Sequence, residues 1–347
     1  MSGFLILEDG SVFRGRSLAA DGVAYGEAVF TTAMAGYQEV VTDPSFAEQI
    51  VCFSAPMVGN YGVAPARSES DRVHARAVVM RRSGGEAWTR WLARRNVVAL
   101  GEVDTRALVL HLREQGAMRG AVVSGDASVE AVLARVRAQP GMEGRDLVAG
   151  VSTDEAYSLG RGSARIAVVD YGCKHSIVRR LLGRGARLRV YPHTVSAREL
   201  LRDDPDGVVL SNGPGDPGAL VDEVRTVSAL LGRVPVLGIC LGHQLLARAV
   251  GYETFKLRFG HRGANHPVLE LATSRVLVTV QNHGFAVSGS GSEVTHVSLY
   301  DGTVEGLALT GAGARSVQFH PEAGPGPHDA RPILDGFVDE VRRAAAA

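Results

Sequence analysis

The spacing of apolar and polar positions divides the chain into two regimes. Over roughly the first 150 residues, short runs rich in β-branched and aromatic residues alternate with turns. Ala28-Val-Phe-Thr-Thr and Gln49-Ile-Val-Cys-Phe-Ser are examples, and both read as strands. Helical spacing follows at Glu86 to Arg95 and at Ser128 to Ala138. The polar stretch VSTDEAYSLGRGSA at 151–164 then reads as a linker.

Beyond it the rhythm changes. Arg165-Ile-Ala-Val-Val-Asp predicts a strand, Lys174 to Gly183 a helix, Leu188-Arg-Val-Tyr a strand and Ala197 to Arg202 a helix. Gly207-Val-Val-Leu-Ser, a helix from Leu220 to Leu231, Val234-Pro-Val-Leu-Gly-Ile and Leu241 to Val250 continue the alternation. Strands and helices joined by short connections imply a parallel sheet covered on both faces. From Val276 onward the runs are strand-like with no helices between them. The fold expected is α/β. It has an N-terminal mixed α/β domain at 1–150, a linker at 151–164, and a doubly wound, mostly parallel sheet at 165–347 with extra antiparallel edge strands.

Composition narrows the function. The 347 residues are 45% hydrophobic and 21% charged, an ordinary globular balance. Lys plus Arg and Asp plus Glu both number 37, so no basic field exists to hold nucleic acid or an anionic membrane. The N-terminus has no basic n-region, and no apolar run approaches the ~18 residues of a membrane span. Three cysteines, Cys52, Cys173 and Cys240, form no C-x-x-C pair, so a reducing cytoplasm is expected. Lysine occurs only at Lys174 and Lys256, and neither sits in a P-loop. With nearly every other basic residue an arginine, Lys174 reads either as a solvated surface lysine or as a position needing a compact ammonium. It follows the first strand of the parallel region, and on the second reading it stabilises a carboxylate near the site.

The most informative segment is Gly238-Ile-Cys240-Leu-Gly242-His-Gln. Its form is G-x-nucleophile-x-G between an apolar strand and a helix, the pattern of a tight turn that exposes its central side chain above a sheet. The helix that starts there directs its positive end at the sulfur and favours the thiolate. Cys52 lies in an apolar strand and reads as a small buried hydrophobe.

A cysteine nucleophile needs a proton-transfer partner. Ser316-Val-Gln-Phe-His320-Pro-Glu322 ends an apolar strand at His320, and Glu322, two residues on, is placed to fix the tautomer of the ring. No H-E-x-x-H and no Cys/His ligand spacing occur, and His261 and His266 read as part of a Gly-rich loop, so no metal is expected. Gly213-Pro-Gly215-Asp-Pro-Gly218 fits G-x-G-x-x-G, but no acidic residue falls between Thr226 and Tyr252 to bind a ribose. Pro217 also removes a backbone donor there. The N–H groups of Gly213 and Gly215 suit a small polar substrate or an oxyanion better.

Ser211-Asn-Gly-Pro-Gly-Asp-Pro, GICLGHQ and FHPEA together resemble the triad-type, class I glutamine amidotransferases. FGHRGANHPV (259–268), QNHGFAV (281–287) and HPEAGPGPHDA (320–330) resemble carbamoyl-phosphate synthetase small subunits in particular. So do TAMAGYQEVVTDPSFAEQIV (32–51), GNYGV (59–63) and DTRALVLHLRE (104–114). The resemblance implies a triad of Cys240, His320 and Glu322. It puts Ser45, Gly213, Gly215, Leu241, Gln244, Asn282, Gly284 and Phe285 around bound L-glutamine. Ser45 follows the turn-favouring Asp43-Pro44, so its hydroxyl is expected on a loop rather than buried in a strand. Ser176 stands where the family usually has Asn.

The resemblance also implies a separate large subunit as partner, which uses ATP and metal ions to make carbamoyl phosphate from bicarbonate and ammonia. The chain itself is expected to carry no cofactor. Two other readings stand beside this one. One is a non-catalytic scaffold for the same complex, against which the intact Cys240, His320 and Glu322 speak. The other is the glutaminase of a different synthase, against which the first 150 residues speak.

Overall fold

The short apolar runs of the first half close on themselves. In the computed structural model, which describes residues 1–346, seven strands form a closed barrel. Their order is Ser2–Leu7, Val12–Ser17, Val98–Gly101, Ala77–Val79, Gln49–Phe53, Gly22–Thr31 and Met118–Ser124. Closure leaves no strand with an unpaired edge. Each helix of this unit buries an apolar stripe. Glu86–Ala93 contributes Trp88 and Leu92, and Val129–Arg137 contributes Val132 and Val136. Thr105–Gln115, absent from the expected elements, contributes Leu108 and Leu112. The Asp104 side chain caps it by accepting from the Ala107 N–H at 3.0 Å. Cys52 lies fully within this core, and burial pushes its thiol pKa far up.

The second half builds a ten-stranded sheet. Ala314–Val317, Val236–Ile239, Gly207–Leu210, Ala164–Asp170 and Ala186–Pro192 run parallel in that order. The pairings of Val304–Leu309, Val294–Ser298 and Thr254–Glu270 on one side of them are antiparallel, and Arg275–Val287 completes that edge. Helices cover both faces. Ile177 and Leu181 of His175–Gly183 pack with Leu334, Phe337, Val338 and Val341 of Arg331–Ala346 on one side. Leu200, Val227, Leu230, Leu245 and Leu246 cover the other. The helix Arg331–Ala346 was not among the expected elements, although its buried residues recur at helical spacing.

The domain boundaries need correction. One unit comprises Met1–Glu143 with Arg258–Gly263, and the other Gly144–Leu257 with Ala264–Ala347. The stretch 151–164 is not a free linker. Within it Tyr157–Leu159 pairs antiparallel with Ala186–Pro192 and forms the other edge of the sheet. Nor do His261 and His266 lie in a Gly-rich loop; both are on the strand Thr254–Glu270. The middle of that strand belongs to the first unit. There the Arg262 carbonyl accepts from the Thr32 N–H at 3.0 Å, the Arg258 carbonyl accepts from the Ala117 N–H at 2.7 Å, and Phe259 stacks on Phe30. Among the described residues, no helix is long and apolar enough to cross a membrane.

Candidate active site

Val236–Ile239 ends at Cys240, and Leu241–Ala249 begins immediately after it. So abrupt a reversal forces Cys240 to φ +54° and ψ −104°, a sparsely populated conformation that costs on the order of 1–3 kcal/mol. The glycines on either side are sterically required. A Cβ on Gly238 would sit 2.6 Å from the Gly242 carbonyl oxygen, and one on Gly242 would sit 2.2 Å from that of Leu210. The Cys240 N–H donates to the Val317 carbonyl at 2.9 Å, tying the turn to the strand that leads to His320. The sulfur lies 3.6 Å from the Asn282 carbonyl oxygen.

His320 and Glu322 are both buried, and His320 Nδ1 donates to Glu322 Oε1 at 2.7 Å. This leaves Nε2 as the free nitrogen of the ring. Lys174 Nζ donates to the same Glu322 oxygen at 2.8 Å and to the Gly324 carbonyl at 2.7 Å. The two charges set each other's protonation. Burial alone would raise the Glu322 pKa, but the Lys174 and His320 charges outweigh it and hold the carboxyl well below its usual range. For His320, burial works against the imidazolium. The Glu322 charge, with help from the Cys240 thiol, overcomes both burial and the opposing Lys174 charge and raises the pKa.

The remaining residues named by the resemblance fall into place unevenly. Gly213 lies against the turn, since a Cβ there would meet the Tyr171 carbonyl oxygen at 2.1 Å and Leu241 Cδ2 at 2.8 Å. Gly215, at φ +94°, instead packs on Arg145 and Leu147, and it forms an isolated bridge with Asp146. Gln244 is buried and donates through Nε2 to the Phe285 carbonyl at 2.8 Å. Asn282, Gly284 and Phe285 share the strand Arg275–Val287. Ser45 belongs to the first unit, in the turn Pro44–Phe46, where its N–H donates to Asp43 Oδ1 at 2.9 Å. The residue lies in the expected turn and is itself buried. Ser176 is the second residue of the helix His175–Gly183.

Two partners escaped the sequence reading. Asn212, fully buried, accepts the Lys174 N–H at 3.1 Å, and Gln318, also fully buried, contacts Gln244. Gln318 is a polar residue between Val317 and Phe319, while Asn212 lies in the quoted motif at 211–217 with nothing to single it out there.

Comparison with known proteins finds two family matches. The model for class-I glutamine amidotransferases matches residues 167–340, and that for the CPSase domain of the carbamoyl-phosphate synthase small chain matches residues 5–122. The carbamoyl phosphate synthase small chain of Escherichia coli (strain K12) is 43% identical over 373 residues, covering 99% of this chain and 98% of that one. The chain belongs to the carbamoyl phosphate synthase small chain family. Its counterpart in Vibrio vulnificus (strain YJ016) is 42% identical over 376 residues, covering 99% of both. Within the family frame, Cys240, His320, Glu322 and Lys174 all lie in the amidotransferase span, and Ser45 lies in the CPSase-domain span.

Proposed function

We propose that this chain hydrolyses L-glutamine to glutamate and ammonia, and passes the ammonia to a separate carbamoyl-phosphate synthetase large subunit. The observation that carries this reading is a strained cysteine turn beside a buried His320–Glu322–Lys174 array. The Cys240 thiolate attacks the carboxamide carbon of glutamine. The developing oxyanion meets the N–H of Leu241 and the loop at Gly213. The N–H of Gly242 is not available, because it donates to the Ser211 carbonyl at 3.0 Å. His320 gives a proton to the departing nitrogen as the C–N bond breaks, and a glutamyl thioester remains. The same ring then takes a proton from water, whose oxygen attacks the thioester and releases glutamate and free thiol.

Glu322 holds the ring and stabilises its charged form; Lys174 keeps Glu322 ionised. Gly213, Gly215, Gln244, Asn282, Gly284, Phe285 and Ser45 are assigned to the glutamine pocket on the family resemblance. Ammonia released into water would become ammonium and cease to be a nucleophile, so a partner must receive it directly. The ATP and metal chemistry belongs to that partner. The attacking group must stay a free thiol, which suits a reducing cytoplasm.

The test is Cys240→Ser in the complex with the large subunit. Serine keeps the shape but supplies no thiolate at neutral pH. Glutamine-dependent synthesis should vanish while ammonia-dependent synthesis persists. Surviving glutamine hydrolysis would remove Cys240 as nucleophile, and loss of both activities would make its role structural.

A further inference from the structure

Gln244 projects from the helix one turn after Cys240, and both protons of its amide are taken. Nε2 donates to the Phe285 carbonyl at 2.8 Å and to Gln318 Oε1 at 3.0 Å. A backbone carbonyl only accepts, so Phe285 decides which end of the Gln244 amide is nitrogen. That decision also makes the facing atom of Gln318 an oxygen. The Phe285 carbonyl is itself held in place, because His283 Nδ1 donates to it at 2.7 Å. What Gln244 has left to offer is Oε1, an acceptor.

Gln318 is fully buried, and its own Nε2 meets no partner among the described residues. Its backbone is anchored by an N–H donated to the Glu305 carbonyl at 2.9 Å. A methionine would fill the same volume without burying an unsatisfied donor. The amide is therefore a costly choice for packing alone, and its one engaged side-chain atom is the oxygen that faces Gln244.

We propose that Gln318 is a positioning residue, which together with the Phe285 carbonyl holds the Gln244 amide so that the substrate meets its carbonyl oxygen. The inference rests on the glutaminase reading and deepens it. A bound substrate must present an N–H-bearing group to Gln244, as glutamine can, and a carboxylate oxygen there is repelled. Gln318 touches no substrate and acts only through Gln244.

The experiment measures kcat and KM for glutamine in the complex with the large subunit. It compares Gln318→Met, Gln318→Glu, Gln244→Met and the double Gln318→Met/Gln244→Met variant. Gln318→Met should raise KM roughly 10-fold, the scale of one oriented hydrogen bond to a polar substrate, with kcat little changed. Gln318→Glu keeps an acceptor facing Gln244 and should hold KM near that of the unaltered protein. The double variant should match Gln244→Met alone, because the two residues act in series. The idea is overturned if the two methionine effects multiply, if glutamate at 318 is as harmful as methionine, or if Gln318→Met leaves KM unchanged. Should Gln318→Met fail to fold, the glutamate variant decides: a KM as high as that of Gln244→Met overturns the assignment. Cys240→Ser tests the parent reading separately, so failure of this inference is distinguished from failure of that reading.

Discussion

Lys174 Nζ and His320 Nδ1 meet on a single oxygen, Oε1 of Glu322, at 2.8 and 2.7 Å. The Lys174 and Glu322 side chains are 2% and 0% exposed. A buried carboxylate that carried only the histidine would be free to take its proton. With a fixed ammonium on the same oxygen, Glu322 stays ionised, and the extra cation also moderates the rise in the His320 pKa.

Removing that ammonium should therefore be felt twice. Lys174→Met is expected to lower unfolding stability by about 3 kcal/mol, because it breaks a buried pair from one side. Urea denaturation of the purified chain measures this. The His320 pKa should rise further, moving the alkaline limb of the glutamine-dependent pH–rate profile upward. Lys174→Arg puts a planar fork where a compact ammonium reaches Glu322 and Gly324 together, and glutamine-dependent activity should fall. Unaltered kcat and KM in the arginine variant would take Lys174 out of the site.

The shifted groups also fix how stability responds to pH. His320 has a raised pKa, so the folded state keeps its proton after the unfolded chain has lost it above about 6.5. Its contribution is fully present below that pH and is lost as pH rises toward the folded value. Glu322 is depressed, so its contribution is present above about pH 4.3 and is lost as pH falls through its folded value. Thermal melts between pH 7 and 10 should show a falling Tm, with a flatter slope in His320→Asn. An identical slope in that variant would mean His320 is not the group responsible.

Two glycines offer opposite outcomes for the same substitution. Gly242→Ala places a methyl 2.2 Å from the Leu210 carbonyl oxygen. The N–H that Gly242 donates to Ser211 keeps the turn from yielding. A loss of about 3 kcal/mol or more is expected. Gly336 lies inside the helix Arg331–Ala346 with nothing near its Cβ position. Alanine there should add about 0.5–1 kcal/mol. Denaturant midpoints of the two variants check both signs.

Ser45→Ala tests the pocket residue assigned from the first unit. Loss of one hydrogen bond to a charged substrate group is worth about 1.5–3 kcal/mol, so KM for glutamine should rise roughly 10- to 150-fold. Alkylation of Cys240 by a small neutral reagent should stay near normal. An unchanged KM removes Ser45 from the pocket.

Much of the second unit could be read from the chain because local and long-range preferences agree there. The strand into Cys240, the flanking glycines and the helix after them each have a sequence signature. The spacing of His320 and Glu322 likewise foretold a contact two residues apart. Lys174 stood out by its rarity, yet the sequence could not name Glu322 as its partner, 148 residues away. Asn212 and Gln318 were missed for the same reason: a buried amide is explained only by what folds against it. The barrel was also illegible, since apolar alternation marks strands but says nothing of closure. The polar stretch 151–164 misled because an edge strand, half solvated, carries little apolar pattern.

The segment Arg258–Gly263 has a consequence for the order in which this protein can be completed. The first unit is nearly all synthesised by Glu143, yet it lacks this piece until the ribosome has passed Gly263. Until then the Thr32 and Ala117 N–H groups are without their acceptors, the Arg262 and Arg258 carbonyls, and Phe30 is without the ring of Phe259. The seven barrel strands are all made by Ser124, but the unit they belong to lacks this piece while much of the second unit emerges. A gene cut at the apparent linker would therefore yield two incomplete pieces rather than two domains.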